Sequence, residues 1–288
     1  MPERPDLEYV VGVLDPALRG RKIAGAELHK PVLLRMMVPG RLPDALVGRQ
    51  IIAVTRLSHF VVFLLDLDLD LAIHPMLAGR FDLVPPGAAQ RKDVGVVLSL
   101  GPGPAGGAPV LLRYRDDKEM GKVYVAPRGK RDQVPGLAAV GVDVLGPDFT
   151  AAAFRKLARA RRDQAKVFLL DKAALDSFGN AYADEALWAA GVHPKAWVGR
   201  LPDDRLDDLH RALVAVLTDA RDEVARRAPP LDEKVRDFLN VRLRKGAPCP
   251  RCAQPVRVCG VRGHDAYFCA VCQVDDRGAG LVDWRSAR

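Results

Sequence analysis

Apolar and polar positions follow three rhythms along the 288 residues. Near the start, Leu7, Val10, Val11 and Leu14 recur at helical spacing. Pro5 suits a first turn and Gly20 can end it, so one amphipathic helix directly follows the MPERPD start. From there to about residue 127 the period shortens to that of strands, in KIAGAELH, QIIAVTRL, HFVVFLL, VGVVLSL, PVLLRYRD and GKVYVAP, punctuated by Gly and Pro. The acidic alternation from Asp66 to Leu71 reads as a half-exposed strand. This half of the chain predicts a two-layer antiparallel sandwich or barrel. The stretch APRGKRDQVPGLAAVGVDVLGPDF has no sustained period and reads as a connection. Helical spacing then predicts helices at about 150–162, 165–175, 183–190, 203–226 and 231–243, before a short cysteine-bearing segment and a polar tail. The fold class is α+β. It comprises an N-terminal β-sandwich domain with a flanking helix (1–127), a linker (128–149), a helical domain (150–245), and a terminal module (246–288).

Composition bounds the chemistry only loosely. Hydrophobic residues make up 49% and charged residues 28%, a globular and not a disordered balance. Lys and Arg outnumber Asp and Glu by 44 to 36, for a net charge of +8, which favours a polyanionic partner without proving one. No window approaches a membrane span and no basic-then-apolar leader opens the chain, so the cytoplasm is the expected compartment.

All five cysteines fall between Cys249 and Cys272. Cys249 and Cys252 form CPRC, Cys269 and Cys272 form CAVC, and such paired knuckles close a tetrahedral thiolate site around zinc. Four thiolates leave no open coordination position, so the predicted metal is structural. Four reduced cysteines in a plain loop is the competing reading, and the paired spacing speaks against it. Cys259 lies outside both pairs. Between the pairs stand Arg257, Arg262 and His264, and a phosphate-gripping cationic tip and a solvated loop both fit that pattern.

The second informative stretch is KVFLLDKAALDSFGNAYADEALWAAGVHP. Gly179 and Asn180 break one helix and open another, presenting a helix N-terminus that can take a phosphate without a basic side chain. Upstream, Arg155, Lys156, Arg159, Arg161, Arg162 and Lys166 gather against the single acid Asp163. Part of that run is expected to face a polyanion, although each arginine alone reads as an ordinary solvated helix face.

Taken together, the Met1-Pro2-Glu3 start, the Gly179-Asn180 turn followed by Tyr182-Ala183-Asp184-Glu185, Gly191 and His193-Pro194, and the hairpin ending Cys269 to Gln273 resemble one family. It is the formamidopyrimidine-DNA glycosylase and endonuclease VIII family of base-excision repair enzymes, and the resemblance runs in order along nearly the whole chain. What it implies is a β-sandwich domain and a helix-two-turns-helix domain with a zinc hairpin, gripping double-stranded damaged DNA as a monomer. The damaged nucleotide would be flipped out, and Pro2, freed by removal of Met1, would attack C1′ and form an imine, with elimination of the flanking phosphates following. Glu3 would move protons at the sugar. Asp6 would help position the site or simply stabilise the helix terminus. Asn180 and Lys166 would contact phosphates, and Met76 would fill the hole left in the duplex, against a plain core-filling reading.

The chain departs from the family pattern in three places. His59, in Arg56-Leu57-Ser58-His59-Phe60, stands where a phosphate-binding lysine is usual. Gly263-His264 replaces a Gly-Arg pair, with Arg262 adjacent. Lys118 and Met120, in YRDDKEMG, stand for an arginine and a phenylalanine that read the orphaned base. Two histidines among the phosphate contacts predict tighter DNA binding near pH 6 than near pH 8. The competing readings are a relative that binds damaged DNA without efficient base excision, and an unrelated zinc-ribbon protein. The latter leaves the MPE start and the GNAYADE loop unexplained.

Overall fold

The computed structural model describes residues 2–104, 106–176 and 178–274. The expected polar tail from 275 onward and the removal of Met1 lie outside the described residues. The chain divides into two compact units, one running to Ala139 and regaining Arg221–Val235, the other comprising Val140–Ala220 and the residues from Arg236 onward.

In the first unit, α1 (Arg4–Leu18) is followed by β1 (Ile23–Leu28), β2 (Leu34–Met36), α2 (Leu42–Leu46), β3 (Ile51–Leu57), β4 (Phe60–Leu65), β5 (Leu69–His74), β6 (Arg80–Val84), β7 (Val94–Leu100), β8 (Val110–Arg115) and β9 (Lys122–Pro127). They form a four-stranded sheet, ordered β1-β7-β8-β6, and a five-stranded sheet, ordered β2-β9-β5-β4-β3. Pairing is antiparallel except between β2 and β9. The expected sandwich is present. Its core takes Leu7, Leu14 and Leu18 from α1 with Phe63, Ile73, Phe81, Leu98, Leu112 and Val125 from the sheets. Each such side chain contributes roughly 1.5–3 kcal/mol by leaving water.

The structure differs from the sequence pattern at two places. The five-stranded sheet is covered on its outer face as well, where Phe60, Val62, Ala72, Tyr124 and Ala126 pack with Val134 and Leu137. Residues 128–139 therefore belong to the sandwich unit and are not a free linker. For the same reason the acidic alternation is not a half-exposed strand. Asp66–Asp68 form a turn, with Leu67 and Asp68 at φ of 50° and 54°, and Leu69–His74 are all buried. Asp70 is held in the interior by Arg128 Nε at 3.0 Å and Arg131 Nε at 2.5 Å.

In the second unit, a two-strand parallel bridge joins β10 (Val142–Asp143) to β11 (Leu175–Asp176). Around it stand α3 (Ala151–Arg159), α4 (Ala165–Leu170), α5 (Asn180–Ala189) and α6 (Asp203–Arg227), then the hairpin β12 (Arg257–Val261) and β13 (His264–Phe268). Phe154, Phe168, Phe178, Tyr182, Leu187, Leu206 and Leu213 make its core. The expected helix at 231–243 is absent, and turns occupy that stretch. Pro229 and Pro230 supply no N–H at its head, and the amides of Asn240, Val241 and Arg242 go instead to the Glu185 carboxylate at 2.8–2.9 Å.

Candidate functional site

Pro2 is buried at the head of α1. Glu3 caps the helix, its carboxylate taking the Asp6 amide while the Asp6 carboxylate takes the Glu3 amide at 2.7 Å. This reciprocal capping box satisfies two otherwise orphaned donors and fixes Glu3 immediately beside Pro2. The two readings of Asp6, positioning and helix-end stabilisation, thus describe one hydrogen bond. Pro2 and Asp6 line a small cleft, with room for about 20 Å³, together with Pro75, Gly79, Arg80 and Asp232.

The cleft is built from three segments. The first is α1. The second is the turn Pro75–Gly79, closed by the Gly79 amide on the Pro75 carbonyl at 2.8 Å. A Cβ at Gly79 would lie 2.5 Å from that carbonyl oxygen, so only glycine fits. The third is the strap after α6. Tyr9 Oη donates to Pro229 O at 2.7 Å, Arg80 Nε to Asp232 O at 2.7 Å, and Lys234 Nζ to Leu77 O at 3.1 Å. Arg115 anchors the strap, reaching Asp82 at 3.0 Å, Asp93 at 2.7 Å and Asp232 at 2.9 Å. The Arg115 hydrogen bond outweighs burial and pulls the Asp93 carboxyl down to about 2. Nothing in the sequence singled out Arg115, because its partners lie far away along the chain.

His59 sits in the two-residue turn between β3 and β4 and is only 2% exposed. Its ring stacks near His74 at 6.2 Å, and Phe60 meets His74 edge-on at 4.8 Å. It is not presented to solvent as the expected phosphate contact would be. Met76 is half-buried, at φ of 48°, and its amide donates to His74 Nδ1 at 3.0 Å. Lys118 and Met120 are exposed on the turn between β8 and β9. That turn is held rigid by Asp116, which accepts from the amides of Lys118 at 3.0 Å and Gly121 at 2.6 Å.

In the second unit, Asn180 opens α5. Lys166 departs from expectation: it is fully buried, and its ammonium meets Asp184 and the Asn180 carbonyl, each at 2.7 Å. Burial pushes the Asp184 carboxyl up, against the pull of Lys166 and Arg242. Lys166 therefore supports the turn from beneath. The upstream cations are also largely engaged, Arg155 by Asp207, Arg159 by Asp203, and Arg161 by Asp163 and Asp171, leaving Lys156 and Arg162 exposed.

The sulfurs of Cys249, Cys252, Cys269 and Cys272 lie within 4.8 Å of one another, while Cys259 stands on β12 outside the cluster. Sulfur separations of 3.9 Å for Cys249–Cys272 and 3.4 Å for Cys252–Cys269 bracket the edge of about 3.8 Å that a tetrahedron with 2.3 Å zinc–sulfur bonds requires. The donor set fits a dication. Burial opposes ionisation of Cys249, yet the Trp188 indole N–H and the amides of Arg251 and Cys252 draw its thiol down to about 6. Burial and the neighbouring sulfurs push Cys272 up to about 12. Four crowded thiols cannot all ionise without a cation among them. Gln273 locks the module to the turn after α5, accepting from the Cys269 amide at 2.8 Å and donating to Val192 O at 2.9 Å. At the hairpin tip Arg262 and Gly263 both have positive φ, 44° and 85°, and Arg262 and His264 stand exposed.

Two family models match, the formamidopyrimidine-DNA glycosylase N-terminal domain over residues 1–123 and the formamidopyrimidine-DNA glycosylase H2TH domain over residues 140–226. The formamidopyrimidine-DNA glycosylase of Chloroflexus aurantiacus is 32% identical, over 95% of this chain and 98% of its own. The chain belongs to the formamidopyrimidine-DNA glycosylase family. The Chloroflexus aggregans member is 34% identical, over 95% of this chain and 99% of its own. Among solved structures of the family, Lactococcus lactis Fpg complexed with oxidised-pyrimidine-containing DNA superposes with a TM-score of 0.83 at 25% identity, covering 95% of this chain and all of that one. Its complex with DNA containing an abasic site gives 0.82 at 23% identity, with the same coverage. Among the described residues, no helix is long and apolar enough to cross a membrane.

Proposed function

We propose that this protein is a DNA glycosylase with abasic-site lyase activity, acting in the cytoplasm as a monomer on damaged double-stranded DNA. The observation that carries this reading is Pro2 at the head of α1, on a cleft, with Glu3 locked beside it by Asp6. Once Met1 is removed, the Pro2 nitrogen is a secondary amine. Its lone pair attacks C1′ as the bond to the damaged base breaks, the nitrogen gives up its proton, and opening of the sugar, with its ring oxygen taking a proton, gives an iminium ion from which the flanking phosphates are eliminated. Glu3 handles the proton at the sugar oxygen. The Asn180 turn, Arg262 and His264 are the candidates for phosphate contacts. Lys118 and Met120 are the candidates for reading the orphaned base. Zinc is the metal best matched to four thiolates, and its role is to hold the hairpin in place.

The test is an N-terminally extended form, in which the Pro2 nitrogen is an amide and cannot attack. Borohydride is expected to trap wild-type protein on abasic and 8-oxoguanine duplexes and to leave the extended form free. Trapping of both forms equally would refute the terminal amine. No trapping by the zinc-loaded wild type, with DNA binding retained, would favour the binding-only relative.

A further inference from the structure

Resting on that reading, we propose that Arg242 is a positioning residue: it fixes the tip of the zinc hairpin at a set distance from the Asn180 turn, so that both grip one DNA backbone together. The two candidate grips come from different elements. Asn180 opens α5, whereas Arg262 and His264 stand exposed at the β12–β13 tip. Two grips on one stiff ligand add fully only when their spacing is set before the ligand arrives.

A line of charge-assisted hydrogen bonds runs between the two grips. Lys166 Nζ donates to the Asn180 carbonyl and to Asp184, each at 2.7 Å. The other Asp184 oxygen accepts from Arg242 Nη1 at 2.8 Å, and the same nitrogen reaches the Asp265 carbonyl at 3.2 Å. Asp265 is the immediate neighbour of His264. The Arg242 guanidinium also lies over the Tyr267 ring, 4.8 Å from its centre. Its backbone amide donates to Glu185 at 2.9 Å. Arg242 is thus fastened to α5 through both main chain and side chain, and it meets β13 at two residues. The ties from Trp188, Arg251 and Gln273 hold the cysteine end of the module instead. A hairpin held at its base alone can swing at its tip, and Arg242 removes that freedom. With its side chain only 17% exposed and already paired, it is placed to organise the tip, not to meet a phosphate itself. Its partners lie 58 and 23 residues away, so no local pattern singles it out.

The experiment compares Arg242→Met, Arg242→Lys, Arg262→Ala and the Arg242→Met, Arg262→Ala double variant as zinc-loaded proteins. Asp184 keeps Lys166 in all four, so the buried carboxylate is never left unpaired. In DNA-free protein, amide hydrogen exchange over residues 260–266 is expected to quicken about tenfold in Arg242→Met and to return toward the wild-type rate in Arg242→Lys. On a duplex carrying a tetrahydrofuran site, Arg242→Met and Arg262→Ala are each expected to weaken binding about tenfold, and the double variant to fall within about threefold of either. Additive losses of about a hundredfold, with the salt slope of Arg242→Met reduced by about one, would make Arg242 a phosphate contact in its own right and overturn the assignment. Wild-type exchange at 260–266 in Arg242→Met would overturn it as well. If Arg262→Ala binds DNA like wild type, the phosphate reading of the tip fails, and the exchange arm still decides whether Arg242 positions it.

Discussion

Asp184 carries more of the second unit than its place in a motif suggests. It is buried between Lys166 and Arg242, at 2.7 Å and 2.8 Å, and its neighbour Glu185 collects the amides of the 240–242 loop. Removing one partner of such a pair leaves an uncompensated buried charge, which costs several kcal/mol. Asp184→Leu, which strands both Lys166 and Arg242, is therefore expected to lower the unfolding free energy by about 3 kcal/mol, with part of that recovered in Asp184→Leu combined with Lys166→Met. Denaturant melts of the two variants and the wild type check this. A Lys166→Met protein with wild-type stability but a shallower salt dependence of DNA binding would instead restore lysine as a direct phosphate contact. At this scale the sequence shows which residue types gather, and it hides their partners. Lys166 looked like part of a cationic face because Asp184 lies eighteen residues on, across a turn. His59 looked like a phosphate clamp because nothing local reveals the His74 ring beside it. Of the two histidines only His264 stands in solvent. His264 is therefore the one left as a candidate phosphate contact, and His264→Ala is expected to weaken DNA binding.

Elements in this protein are tied by polar devices at their ends as much as by apolar faces. Arg115 fastens β6, the loop before β7 and the strap after α6 through Asp82, Asp93 and Asp232. The folded Asp93 carboxyl is depressed to about 2 from 3.8, so its contribution is fully present above pH 4 and is lost as pH falls toward 2. Urea melts should show wild type exceeding Asp93→Asn by about 1–2 kcal/mol at pH 7, with the gap narrowing at pH 3. A gap independent of pH would contradict that assignment. The zinc module is tied to α5 by Trp188 on Cys249 and by Arg251 on the Trp188 and Ala189 carbonyls. Chelation, or Cys252→Ser, is expected to expose Trp188, visible as altered indole fluorescence, and to weaken DNA binding. Elements were legible where one rhythm dominated, as in α1, α6 and the apolar run of β4. They were misread where a second layer or a carboxylate claimed the backbone: at Asp66–Leu71, whose outer face is covered, and at 231–243, whose amides Glu185 takes.

At the scale of the whole molecule, the division into a sandwich unit and a helical unit was legible, but its seam was not. The chain leaves the first unit only at Val140 and returns to it at Arg221, in the last turns of α6, so that the strap can line the cleft at Pro2. No local pattern announces such a return. The consequence is that a fragment ending before Arg221 lacks one wall of the cleft, however intact its sheets. The proposed chemistry turns on one atom, the Pro2 nitrogen. The most direct test is to reduce the complex with an abasic duplex using borohydride, digest it, and locate the adduct by mass spectrometry. A deoxyribose remnant is expected on the peptide that begins at Pro2, after loss of Met1. A remnant on a lysine elsewhere, or on a peptide that still carries Met1, would contradict it.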